Sequence, residues 1–215
     1  YLGNNKLTNI PSSVCNATSL TELNLSSNKL SKIPLEIKNL VNLTNFICSR
    51  NQLTVMPSEL CNIISLNHLE LNQNRISAIP VQIGKLVNLE YLQLDDNQLL
   101  SLPKEIGSLK SLKYLYLSNN KLSEIPAGVT YINGLKQLYL DQNQLINIPV
   151  DIKFFTRLQV LHLNRNNIEF IPREIAALTS LKTLAISNNL LTILPKEIGN
   201  LQGLRNLELD GNQIK

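Results

Sequence analysis

The chain has 215 residues, 43% of them apolar and 17% charged, and its 20 basic and 16 acidic side chains leave a net charge of +4. That much apolar material fills a sizeable core and excludes a disordered chain, and no apolar run reaches the roughly 18 residues that a membrane span needs. The positive charge is small and spread out, so neither nucleic acid nor membrane insertion is expected.

The composition is narrow, with 43 Leu and 29 Asn but no Trp and only four Phe. One pattern, Leu-x-x-Leu-x-Leu-x-x-Asn-x-Leu-x-x-Ile-Pro-x-x-Ile-x-x-Leu-x-x, fits from end to end, and a fixed period of this size marks a repeat protein. Its Asn stands at Asn5, Asn28, Asn51, Asn74, Asn97, Asn120, Asn143, Asn166, Asn189 and Asn212, always 23 residues apart. All nine prolines, from Pro11 to Pro195, follow that Asn by six residues.

Within one repeat, Leu23 and Leu25 alternate with Glu22 and Asn24, the period of two of a strand with one buried face. Asn28 ends the strand at a corner where turning backbone would otherwise bury unpaired N–H and C=O groups, and its amide can satisfy both kinds. Ten such amides in one phase predict a ladder linking coil to coil. Ile33-Pro34 then opens the return leg. Pro fixes φ and lacks an N–H, which predicts a short helical turn over 34–40 with Pro34 in its first position. Ile37 and Leu40, three apart, keep the apolar side of that turn inward.

A single coil cannot bury its own apolar side, whereas coils stacked on copies of themselves build a continuous Leu/Ile core. The strands then align about 4.8 Å apart as a parallel sheet. The expected domain is a single curved solenoid over 1–215, with about nine repeats and partial ones at both ends. Strands line its concave wall, since helical turns are wider than strands.

These repeats, for example Leu89-Glu90-Tyr91-Leu92-Gln93-Leu94-Asp95-Asp96-Asn97-Gln98-Leu99 followed by Leu102-Pro103-Lys104-Glu105-Ile106-Gly107, resemble the leucine-rich repeat family. The 23-residue unit is similar to a subclass found in spirochaete and other bacterial proteins and in Ras-suppressor-like and plant intracellular scaffolds. The resemblance covers essentially the whole chain. It implies an α/β right-handed horseshoe with a parallel sheet on the concave face and short helical or 3-10 turns on the convex face. It also implies binding of a protein or peptide on the concave face and, by analogy with bacterial members, a secreted or cell-surface location, the cytoplasm being the alternative. Departures are small: Phe46 and Cys48 replace strand leucines, Met56 the Ile before Pro, and Ile63, Ile132 and Phe155 one convex Leu.

Tyr1 enters midway through a strand and Lys215 stops just after an Asn corner, with no polar capping segment at either end. A fragment or processed chain without its flanking caps is expected, or else bare ends that pack end to end on another copy. Cys15 and Cys61 share a phase two repeats apart, about 10 Å and beyond disulfide reach, and Cys48 takes an inward strand position. Three free thiols are expected.

Outward strand positions form two columns along the concave wall. The first runs Glu22, Asn45, His68, Tyr91, Tyr114, Gln137, Val160, Thr183, Asn206, and the second runs Tyr1, Asn24, Ile47, Glu70, Gln93, Tyr116, Tyr139, His162, Ala185, Glu208. Together they hold seven of the chain's eight Tyr and His residues, where random placement over all 215 positions predicts fewer than one. Tyr91, Tyr114, Tyr116 and Tyr139, flanked by His68 and His162, are therefore the candidate partner-binding residues: large, stiff, half-polar side chains on a rigid wall. The competing explanation is that Tyr rings ladder across strands only to stabilise the sheet. Charge flanks this patch, with Lys113 and Lys136 on the edge where strands enter and Asp95, Asp96 and Asp141 where they leave. Such a field either orients a partner or merely keeps the rim solvated.

Catalysis finds little support. The two histidines are 94 residues apart, about four coils or roughly 19 Å, too far to share a metal or act as one acid–base pair. No Gly-flanked nucleophile elbow and no phosphate loop occurs, so no catalytic, cofactor or metal residue is assigned. The expected function is a non-enzymatic interaction module for a protein or peptide. The alternatives are a substrate-recognition arm of a larger enzyme or signalling protein, and a self-assembling array.

Overall fold

The computed structural model describes all residues, 1–215. Nine strands of three residues each, β1 (Glu22–Asn24), β2 (Asn45–Ile47), β3 (His68–Glu70), β4 (Tyr91–Gln93), β5 (Tyr114–Tyr116), β6 (Gln137–Tyr139), β7 (Val160–His162), β8 (Thr183–Ala185) and β9 (Asn206–Glu208), form one parallel sheet. Their order in space is their order in the chain. Register advances by one repeat per strand, so Glu22 lies opposite Asn45, His68 opposite Tyr91, and Tyr116 opposite Tyr139. No helix is long and apolar enough to cross a membrane.

Strands stop after three residues because the chain turns at the corner Asn. The residue before each such Asn adopts a left-handed backbone, for instance Arg50 at φ 55°, Asp96 at φ 53° and Gln142 at φ 54°. Only the last of these ten positions, Gly211, is a glycine. Each of the others holds an L side chain where it costs on the order of 1 kcal/mol, an expense met by the packing of the corner.

The corner asparagines form the ladder expected of them. Asn51 accepts the N–H of Leu30 on Oδ1 (2.9 Å) and donates through Nδ2 to the carbonyls of Leu25 (3.0 Å) and Cys48 (3.2 Å). Two of those three partners belong to the preceding repeat, so each amide ties its coil backwards to its neighbour. Asn5 donates only to Leu2 and Gly3 of its own coil and is exposed. No buried side-chain nitrogen or oxygen lacks a partner.

The return leg contains eight five-residue 3-10 turns, such as Leu35–Asn39 and Val81–Lys85, and one α-helical turn, α1 (Ala127–Thr130). Pro34 is not the first helical residue. It stands one position earlier, extended at φ −67° and ψ 150°, with its carbonyl accepting the N–H of Ile37 at 3.1 Å. Proline's fixed φ suits both placements; its ψ shows that it caps the turn from outside. α1 lies so close to the preceding turn (Lys104–Ser108) that a Cβ at Gly128 would sit 2.6 Å from the Lys104 carbonyl oxygen.

One core cluster of 56 buried residues runs the length of the solenoid. It absorbs the replacements Phe46, Met56, Ile63, Ile132 and Phe155 without exposing any of them. All three cysteines are free and buried, and burial pushes the Cys48 and Cys61 thiols up to about 12, which leaves them unreactive at neutral pH.

Candidate functional site

The pairing register places the two outward columns side by side on the solvent face of the sheet, and it brings all six candidate residues into one aromatic run. His68 stacks on Tyr91 with centroids 4.2 Å apart and planes within 4°. Tyr91 leans on Tyr116 at 5.1 Å and on Tyr114 at 6.2 Å. Tyr116 stacks on Tyr139 at 4.7 Å and 6°, and Tyr139 meets His162 at 4.7 Å. The rings are half-buried. In the stacked pairs they shield one another's faces. Tyr1 of the same column lies outside the sheet, almost fully exposed, with its hydroxyl donating to Glu22 at 2.6 Å. The sixth tyrosine, Tyr131, stands on the convex side stacked on Phe154 at 6.4 Å.

Mutual stacking makes these rings part of the sheet's stability as well as its surface. Aromatic pairs of this kind contribute about 0.5–1.5 kcal/mol beyond area burial. Tyr116 has two such neighbours and Tyr114 only one tilted one, so the two side chains are not equivalent despite sharing a strand.

The polar surroundings of the rings are ordered. The Tyr91 hydroxyl donates to Gln93 Oε1 (3.1 Å), and Gln93 Nε2 donates to Asp95 (3.2 Å). The Tyr139 hydroxyl donates to Gln137 Oε1 (3.3 Å). At one end of the run His68 Nε2 meets Glu70 at 2.6 Å, and at the other His162 Nδ1 lies 3.5 Å from Asp141. Neither histidine is hydrogen-bonded to a hydroxyl or a thiol. Burial raises the Tyr91, Tyr116 and Tyr139 hydroxyls above their ordinary range, so all three keep their protons.

The rim residues divide. Lys113 pairs with Glu90 at 2.7 Å, both about half exposed, which muted solvent-side pairing leaves worth little. Lys136 makes no ion pair. Asp95 and Asp141 are not loose rim charges. Asp95 Oδ1 accepts the N–H of Ser118 (2.7 Å), and Asp141 Oδ1 accepts the N–H of Asn164 (2.8 Å), each stitching the next repeat in place. Burial pushes the Asp95 carboxyl up to about 6, against the pull of the Ser118 and Gln93 donors. Asp96 occupies a left-handed corner and accepts from the Asn119 amide.

Asp95 and Asp141 belong to a third column, which reads from sequence as a charged edge. Two residues before the corner Asn stand Ser26, Ser49, Asn72, Asp95, Ser118, Asp141, Asn164, Ser187 and Asp210, with Gly3 the single exception. Restriction to small hydrogen-bonding side chains at one phase is the signal that would have found it. At the N-terminal end this column, the second one and the left-handed corners line an open polar hollow of about 370 Å³, which includes Ser49, Arg50, Glu70 and Asn72. A second hollow of about 480 Å³, lined by Glu169, Phe170, Leu190, Thr192 and Gln213, lies outside all three columns.

A leucine rich repeat model matches residues 41–99 and 156–214, together more than half of the chain. The chain belongs to the leucine-rich repeat family. A leucine-rich repeat region model matches 77–162 and a third leucine-rich repeat model 19–40. Among solved structures, this chain is similar to the leucine-rich repeat ectodomain of the plant membrane receptor kinase GASSHO1/SCHENGEN3 from Arabidopsis thaliana, in complex with CASPARIAN STRIP INTEGRITY FACTOR 2. The identity is 35%, the TM-score 0.88, and the match covers 99% of this chain and 27% of that one. PEPR1–AtPEP1 is 26% identical with a TM-score of 0.85, over 96% of this chain and 34% of its own. The plant peptide hormone receptor RGFR1 in complex with RGF2 is 26% identical with a TM-score of 0.67, over 95% and 42%. This leucine-rich repeat chain thus spans about a quarter to two fifths of the length of these structures. No curated protein matches it.

Proposed function

We propose that the chain is a non-catalytic recognition module that binds a protein or peptide on its concave face, centred on Tyr91, Tyr114, Tyr116 and Tyr139 with His68 and His162 at the ends. The observation that supports this most is the unbroken aromatic run from His68 to His162 across five adjacent strands. Stacking holds the rings in place, so a partner would meet a preformed surface and lose little side-chain entropy in ordering it. The solved relatives named with peptide hormone or factor partners add support for a protein or peptide ligand. The match to a receptor kinase ectodomain favours a second reading, in which the chain is the recognition arm of a larger signalling protein.

Tyr114 gives the cleaner test, because its ring has one tilted contact and its loss should leave the fold intact. Proteins recovered on the folded chain as bait are titrated against wild type, Tyr114→Ala and the convex Tyr131→Ala. The proposal expects Tyr114→Ala to weaken binding about 30-fold, near 2 kcal/mol, with Tyr131→Ala unchanged. Equal affinity for wild type and Tyr114→Ala would remove the site.

A further inference from the structure

We propose that the polar hollow at the N-terminal end of the concave face binds a short neutral oligosaccharide, at a site separate from the tyrosine run.

The hollow exists because side chains shrink there. In the second column Ile47 takes the position that Tyr116 and Tyr139 hold farther along, and the third column and the neighbouring corner supply Ser26, Ser27 and Ser49. The space left is about 370 Å³, within the range of small-ligand sites. Of its nine lining residues only Ile47 is apolar. No large ring or aliphatic pocket awaits the anchoring side chain of a peptide, in contrast to the aromatic run. Arg50 and Glu70 are the only charged residues in the lining, so the hollow carries no net charge and a small ion of either sign meets its own kind there.

The hydrogen-bonding groups are already oriented. Asn24 Oδ1 accepts both the N–H (2.9 Å) and the hydroxyl (2.6 Å) of Ser26. A backbone N–H can only donate, so this contact fixes the amide and leaves Nδ2 without a protein partner. Asn72 Oδ1 accepts from the Ser49 hydroxyl, which again leaves Nδ2. Arg50 spends Nε on Gln73 (3.0 Å) and keeps both Nη groups, while Glu70 gives Oε1 to His68 (2.6 Å) and keeps Oε2. Free donors and free acceptors thus line one space, on side chains held by bonds of their own.

In solution water fills such a space, and a ligand gains by entering only where it reproduces water's bonds. A hydroxyl does so, since it donates and accepts at the same atom, and a sugar brings several on adjacent carbons. The Arg50 fork can span two of them, and Ile47 offers the C–H face of a sugar ring its one apolar contact.

The test uses an array of immobilised neutral, sialylated and sulfated oligosaccharides, followed by calorimetric titration with the neutral glycan bound most strongly. The proteins are wild type, Ile47→Tyr, the double variant Arg50→Gln/Glu70→Gln, and Tyr114→Ala. Tyr already fills the Ile47 column at Tyr116 and Tyr139, Gln fills the Arg50 corner at Gln73 and Gln142, and Gln93 fills the Glu70 column, so these variants should fold. Wild type is expected to prefer neutral glycans. Ile47→Tyr, which fills the hollow, and the double variant, which removes its strongest donor and acceptor, should each weaken binding about tenfold or more, with Tyr114→Ala unchanged. No bound glycan, a preference for the acidic glycans, or equal affinity of wild type and Ile47→Tyr would overturn the inference. Weaker binding by Tyr114→Ala with Ile47→Tyr unaffected would put the sugar on the aromatic run and overturn it too.

Discussion

Asp95 serves two ends that pull against each other. Its Oδ1 holds the Ser118 N–H, yet its half-buried carboxyl resists ionisation and is pushed up to about 6. For an acid whose folded pKa lies above its unfolded value near 4, the contribution to stability is fully present below that unfolded value and is lost as pH rises through about 6. Asp95→Asn keeps the acceptor and removes the charge. It should raise unfolding free energy by about 1–2 kcal/mol at pH 7.5, after discounting for solvent screening, and leave it unchanged at pH 4. Denaturant unfolding at the two pH values checks this; a destabilised variant at pH 7.5 would show that the carboxylate is held more favourably than burial implies. The same residue shows what is hard to see from sequence. An Asp on a strand edge reads as a solvated charge, whereas in the fold it turns toward the backbone of the next coil. Likewise Tyr116 reads as a water-facing ring, but it is wedged between Tyr91 and Tyr139.

At the scale of the element, the corner Asn explains why so short a strand persists. Asn120 accepts the Leu99 N–H and donates to Leu94 and Leu117, so its loss strands one donor and two acceptors in the core. Asn120→Ala should cost about 3 kcal/mol, while Asn5→Ala, exposed and bonded only within its own coil, should cost less than about 0.5 kcal/mol. Chemical denaturation of the two variants measures the difference; equal effects would deny the backward tie between coils. This ladder was legible because a polar residue repeated at one phase among leucines has few other uses. The left-handed residue before it was not, because Ser, Arg, Gln, Asp and Asn share that position and none of them announces a positive φ as Gly would. The placement of proline outside its helical turn was missed for a related reason: φ is fixed by the ring, but ψ is set by the packing of the coil.

For the molecule as a whole, the constant step of 23 residues decided the architecture before any packing was known. With no insertion to shift the phase, column membership could be counted, and the strand register reproduces it from Glu22 to Asn206 and from Asn24 to Glu208. Which residues share a column was thus legible; how their rings tilt, which hydroxyl faces which amide, and which carboxylates turn inward depend on side-chain packing and were not. The functional proposal concerns one wall of this solenoid against the other. A photo-crosslinking residue at position 114 on the concave wall, compared with one at position 131 on the convex wall, puts that to the test with the same bound partner. Crosslinks from 114 and none from 131 are predicted; crosslinks from 131 alone would contradict the account.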